Sequence, residues 1–80
     1  MNNCEKCEKL KEMIQKAMIV MTEELNDAIK EYLACNRYLE AVRDDIDEAL
    51  GERAREYHAG RMAAAALARE LLEKLLAETQ

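Results

Sequence analysis

Apolar or small residues return every three or four positions along much of the chain, most regularly between Leu25 and Ala49. The steps alternate between 3 and 4, close to the 3.5-residue repeat that keeps one narrow side of a helix against a partner helix. The pattern predicts a long helix with a built-in docking side. We call this set of residues the seam: Leu25, Ala28, Tyr32, Cys35, Leu39, Val42, Ile46 and Ala49.

The helical pattern begins upstream of the seam. Two successive steps of 4 around Met21 form a stutter, which unwinds a supercoil locally without ending the helix. Thr22, followed by Glu23 and Glu24, could instead begin a new helix as its N-cap. We predict a continuous first helix, with a three-helix bundle broken near Thr22 as the alternative. The upstream positions are Cys4, Leu10, Ile14, Ala17 and Met21.

Two glycines compete as the place where the chain turns back. Gly51 suits the left-handed position that ends many helices, but it puts the acidic residues 44–48 at the negative helix end. Gly60 follows basic residues, which suit a C-terminus. We predict a turn near Gly51 and hence a hairpin of unequal arms, about 70 Å and about 40 Å long. The overhang of the first arm would then need cover from a second subunit.

The second arm carries small residues at steps of 4, namely Gly60, Ala64 and Ala68. Such a row allows two helix axes to come close together. Beyond it lies a leucine face too broad for one partner helix. Its members are Leu67, Leu71, Leu72, Leu75 and Leu76.

The composition supports a single all-α domain over residues 1–80. The 80-residue chain has no proline, two glycines, no Trp and no Phe, and half of its residues are hydrophobic. Strong helix formers dominate, and strand-favouring runs are missing. A core this thin usually gains stability by association, so we expect a homo-oligomer.

The net charge and the lengths of the apolar runs limit the kinds of partner that this chain could bind. The net charge of −5 argues against direct nucleic-acid binding, because an acidic domain repels phosphates. The sequence has no 18-residue apolar run of the kind that spans a membrane. The N-terminus lacks the pattern of a secretion signal, and three cysteines fit a reducing compartment, so we expect a cytoplasmic protein.

Cys4 and Cys7 form a Cys-x-x-Cys motif that could hold half of a tetrahedral zinc site. Only Cys35 and His58 could add protein ligands of the same kind. A zinc-linked dimer through Cys4 and Cys7 is therefore one hypothesis. The alternative is that Cys7 packs in phase with Leu10, and we predict no metal and no cofactor.

An acidic run consists of Asp44, Asp45, Asp47 and Glu48. It does not fit a calcium loop, and we interpret it either as a solvated helix face or as an outward patch for a basic partner. Elsewhere, Glu24 and Asp27 form one Glu-x-x-Asp element, which is loosely similar to the magnesium-binding elements of all-α nucleotide pyrophosphohydrolases. A second element at Glu40 has the wrong spacing.

Arg53, Tyr57 and Arg61 recur at steps of 4 and would share one side of a helix. Arginine beside an aromatic ring suits a phosphate and a base, so a nucleotide or small anion could bind here at a subunit interface. The alternative is that Tyr57 is a core residue and that nearby glutamates pair with the arginines.

The sequence offers few candidate nucleophiles for catalysis. It has no serine, and Thr22 and Thr79 have no neighbouring histidine. We predict a non-enzymatic, oligomeric interaction protein acting as an inhibitor or adaptor. Small acidic chains of this type are common among accessory proteins of phages and mobile elements, including inhibitors of host defence. The main rival is a ligand-sequestering protein that uses Arg53, Tyr57 and Arg61. For self-association the sequence favours Leu25, Tyr32, Leu39, Val42, Ile46, Gly60, Ala64 and Leu71.

Overall fold

The chain forms an antiparallel helical hairpin in a computed structural model that describes residues 5–79. Helix α1 spans Glu5–Ala41 and helix α2 spans Asp45–Glu78. The two helices pack along their length into a rod of 64 × 14 × 12 Å. The prediction of an all-α hairpin is therefore confirmed.

Helix α1 runs without a break through Thr22. The Thr22 hydroxyl donates a 2.9 Å hydrogen bond to the carbonyl oxygen of Met18, four residues back in the same helix. This bond is typical of a threonine inside a helix and not of an N-cap. The continuous first helix is thus confirmed over the alternative break.

The turn lies at residues 42–44, so the prediction of a turn near Gly51 is wrong. Asp44 has an extended backbone (φ −103°, ψ 135°), and its Oδ1 accepts a 2.7 Å bond from the amide of Ile46. The amide of Glu48 donates to the Asp44 carbonyl at 2.9 Å as α2 begins. Acidic residues in the first turn then lie at the positive end of the helix, which favours them.

The position of the turn changes the proportions of the hairpin. The arms contain 37 and 34 residues, so the predicted overhang of the first arm does not occur. Ile46 and Ala49 belong to α2 and not to the α1 seam, and both are exposed. The seam therefore ends at Val42, where the helix has already stopped.

Gly51 lies inside α2 and is buried against α1. A Cβ built on it would meet Leu39 Cδ2 at 2.7 Å and Tyr38 Cδ2 at 3.1 Å. The glycine is thus explained by close approach of the helices, not by a left-handed turn. Gly60 meets nothing within 4 Å, so it does not serve the contact between α1 and α2.

The core between the two helices is thin. Among the described residues, the buried hydrophobic side chains are Ile14, Ala28 and Ala65. Half-buried side chains continue this contact along both helices. Small residues at its centre let the axes approach closely, but they bury little apolar area.

Candidate functional site

A charged cluster ties the helices together near mid-length. Arg61 Nη2 donates to Glu24 Oε1 at 2.5 Å and to Asp27 Oδ2 at 2.8 Å, and its Nε reaches Glu24 Oε2 at 3.4 Å. Arg61 Nη1 also lies 2.9 Å from His58 Nδ1, which accepts because a guanidinium has only donors. The single Glu-x-x-Asp element of α1 is thus occupied by an arginine of α2.

The contacts in this cluster shift the pKa values of Asp27 and Arg61. The hydrogen bond from Arg61 lowers the pKa of Asp27 below its ordinary value of 3.8, and attraction to the same guanidinium acts in the same direction. Hydrogen bonds to Glu24 and then to Asp27 raise the pKa of Arg61. The guanidinium therefore stays charged and remains bound to two carboxylates.

The three residues proposed for anion binding are not equivalent in the fold. Arg53 and Tyr57 are exposed on α2, whereas Arg61 is held by the carboxylates of α1. Tyr57 is 66% exposed, so it is not a core residue, and its ring lies edge-on to His58 with ring centroids 5.1 Å apart. An anion at Arg61 would compete with two carboxylates already in place.

The acidic run lies at the turn and opens α2. Asp44 is the N-cap, and Asp45, Asp47 and Glu48 occupy the first turn of the helix. All four are exposed. Their stabilising effect on the helix N-terminus accounts for their position, and whether they also bind a partner stays a prediction.

The cysteine hypothesis falls partly outside the described residues, because Cys4 is not among them. Cys7 and Cys35 are half-buried on α1. Within residues 5–79, no group of three or more Cys, His, Asp or Glu side chains could hold a metal ion.

The residues proposed for self-association divide between two surfaces. Tyr32 and Leu39 are among those half-buried on the side of α1 that meets α2, where they serve the hairpin itself. By contrast, Ile46 and Leu71 are exposed on α2. The first group comprises Leu25, Tyr32 and Leu39, with half-buried Val42 following in the turn, and the second comprises Ile46, Gly60, Ala64 and Leu71.

Many large apolar side chains remain on the surface of the hairpin. In the part of the chain that the structure describes, thirteen such side chains are exposed, in contrast to three buried hydrophobic residues. Single exposed apolar side chains are ordinary on protein surfaces, whereas a contiguous patch of them is typical of an interaction site, so their arrangement matters. The thirteen are Leu10, Met13, Ile19, Val20, Ile29, Leu33, Tyr38, Ile46, Leu50, Tyr57, Leu67, Leu71 and Leu75.

On α2, five of these side chains share one side of the helix with Gly60 and Ala64, and we call this set the outer stripe. Leu67 lies beside it, and Arg53 interrupts it. Its members recur at steps of 3, 4 and 7, so they share one side of the helix, and all are exposed. They are Ile46, Leu50, Tyr57, Gly60, Ala64, Leu71 and Leu75.

Shallow apolar grooves between the helices adjoin this stripe. One groove, towards the open end of the hairpin, is bordered by Val20 and Met21 of α1 and by Leu71 of α2. Another, near the turn, is bordered by Tyr38 of α1 and Leu50 of α2. Side chains of α1 therefore widen the apolar surface that the outer stripe begins.

Comparisons with protein-family models, curated proteins and solved structures found no match to this chain. Neither of the described helices has a stretch long and apolar enough to cross a membrane.

Sequence reasoning identified part of this surface and missed the rest. Leu71 and Leu75 were recognised as part of a leucine face, but Leu50 was not selected and Ile46 was placed on the wrong helix. A turn placed at Asp44 joins these residues into one row. The available signal was the Asp44 N-cap with carboxylates in the following turn.

Proposed function

We propose that this chain is a non-enzymatic interaction module that works by docking the outer stripe of α2 on another helical surface. The observation that carries the proposal is the row of large apolar side chains left exposed along α2. Leu50 is 59% exposed, and Leu71 and Tyr57 are 56% and 66% exposed. Full burial of a side chain of this size is worth about 1.5–3 kcal/mol, so covering the exposed half of each contributes roughly 1–2 kcal/mol and favours a covered state.

The rest of the chain supports binding over catalysis. The charged cluster of Arg61, Glu24 and Asp27 is internally paired and links the two helices. The acidic first turn of α2 stabilises a helix end. Both groups have a role in holding a rigid hairpin, which presents the apolar surface in a fixed shape. An adaptor or inhibitor needs such a surface more than it needs reactive groups.

The test compares Leu71→Glu with Ala59→Glu, a control at an exposed position of α2 away from the outer stripe. Solution mass and binding of an apolar fluorescent dye are measured on both variants and on the native chain. We expect the native surface either to be covered by association or to bind the dye, and either property to be lost in Leu71→Glu alone. A native chain that is monomeric and does not bind the dye would contradict the proposal.

A further inference from the structure

Six of the seven positions of the outer stripe are symmetric about a point midway between Gly60 and Arg61, and Gly60 lies next to that point. From that point, Tyr57 and Ala64 are equally distant, and so are Leu50 and Leu71, and Ile46 and Leu75. Two copies of α2 laid antiparallel across this point would therefore bring each of these residues opposite its counterpart. Any repeat of three and four residues is nearly symmetric in position, so the argument for self-pairing is the residue types: each end of the row carries large apolar residues, and Gly60 lies at its centre.

We infer that the occupant of the outer stripe is a second copy of this chain, packed antiparallel through α2. This inference rests on the proposed function and names the partner for that same surface. A two-fold axis passes beside Gly60, and each contact on one side of the axis is repeated on the other, as a symmetric dimer requires.

The residues opposite each other are large at both ends of the row and include a large–small pair near its centre. The large Tyr57 faces the small Ala64, while Leu50 faces Leu71 and Ile46 faces Leu75 at the two ends. Gly60, whose Cβ position is open, lies at the crossing point where the helices come closest. The stripe extends over about 44 Å, so the contact would run along most of α2.

Charge at the centre does not oppose this arrangement. Arg61 is next to the axis in both copies, but each guanidinium is already paired with Glu24 and Asp27 of its own chain. Arg53 is the charged residue within the row, and it faces Ala68, whose small side chain leaves room for its stem.

The hairpin exposes more surface than a compact protein of its mass. Its accessible surface is 6123 Å², whereas a compact monomer of 9.2 kDa exposes about 4,900 Å². Part of this excess follows from the elongated shape, and the rod therefore has room along α2 for an interface of the standard size of about 800 Å² per partner.

The test uses charge pairs that only this register brings together. Leu50→Glu and Leu71→Lys should each be monomeric alone, because every dimer would bury two charges against leucine. Mixed in equal amounts, they form one Glu–Lys contact and keep one Leu–Leu contact. We expect the mixture to regain twice the single-chain mass and to associate at least ten-fold more tightly than either variant alone. Residues 50 and 71 are too far apart on α2 to pair within one chain.

A mixture of Leu50→Glu with Ile46→Lys is the matched control, since Ile46 faces Leu75 in this register and the two charges lie about 37 Å apart along the contact. We expect no recovery there. Equal recovery in both mixtures, or recovery when Leu50→Glu is mixed with Leu50→Lys, would overturn the antiparallel register. If the native chain is monomeric but binds the apolar dye, the second copy is not the occupant of the outer stripe. The proposal that this stripe is an interaction surface would still hold. Circular dichroism checks that each variant stays helical.

Discussion

Arg61 is the residue that links the two helices most directly, because its side chain reaches two carboxylates 34 and 37 positions earlier in the chain. Its hydrogen bond lowers the pKa of Asp27. A carboxyl whose pKa is lower in the folded than in the unfolded chain stabilises the fold above its unfolded pKa. That contribution is lost as pH falls through the folded pKa.

We predict that Arg61→Met raises the pKa of Asp27 towards its ordinary value of 3.8. Acidification between the unfolded and folded pKa values of Asp27 destabilises the native chain. We expect this loss of stability to be absent in Arg61→Met. The measurement is an NMR titration of the Asp27 carboxyl carbon, with exposed Arg53→Met as the control. Equal titration curves in the native chain and in Arg61→Met would show that the hydrogen bond does not form in solution.

At the scale of the helix, Asp44 decides where α2 begins. We predict that Asp44→Ala lowers the free energy of unfolding by about 0.5–2 kcal/mol, because the Ile46 amide loses its side-chain acceptor. Asp44→Asn keeps an acceptor and should cost much less, although it removes the same charge. Urea unfolding at one protein concentration measures both variants. Similar losses in the two would assign the effect to charge and not to the cap.

The helices and their pairing could be predicted from the sequence. The turn was misplaced although Asp44 marked it, and the charged cluster could not be predicted. The repeat of three and four residues specified two packed helices. Gly51 was misread because a glycine can either end a helix or admit a close neighbour, and only the fold shows Leu39 against it. The contact of Arg61 with Glu24 depends on the register of the hairpin, which a turn misplaced by several residues changes.

At the scale of the whole molecule, a rod 14 × 12 Å in cross-section has too little interior to be very stable alone. If two copies bury their outer stripes, mass action adds stability that grows with concentration. We predict that the melting temperature of the native chain rises with protein concentration. In Leu71→Glu it should be lower and independent of concentration, because the substitution places a charge on the surface that would be covered.

The control for this prediction is Ala59→Glu, which adds the same charge at an exposed position of α2 outside the stripe. It should keep the concentration dependence of the native chain. Melting curves followed by circular dichroism over a hundred-fold range of concentration distinguish the cases. If the native melting temperature does not change over that range, the thin contact between α1 and α2 is sufficient to stabilise the single chain. The outer stripe would then bind a partner other than a second copy.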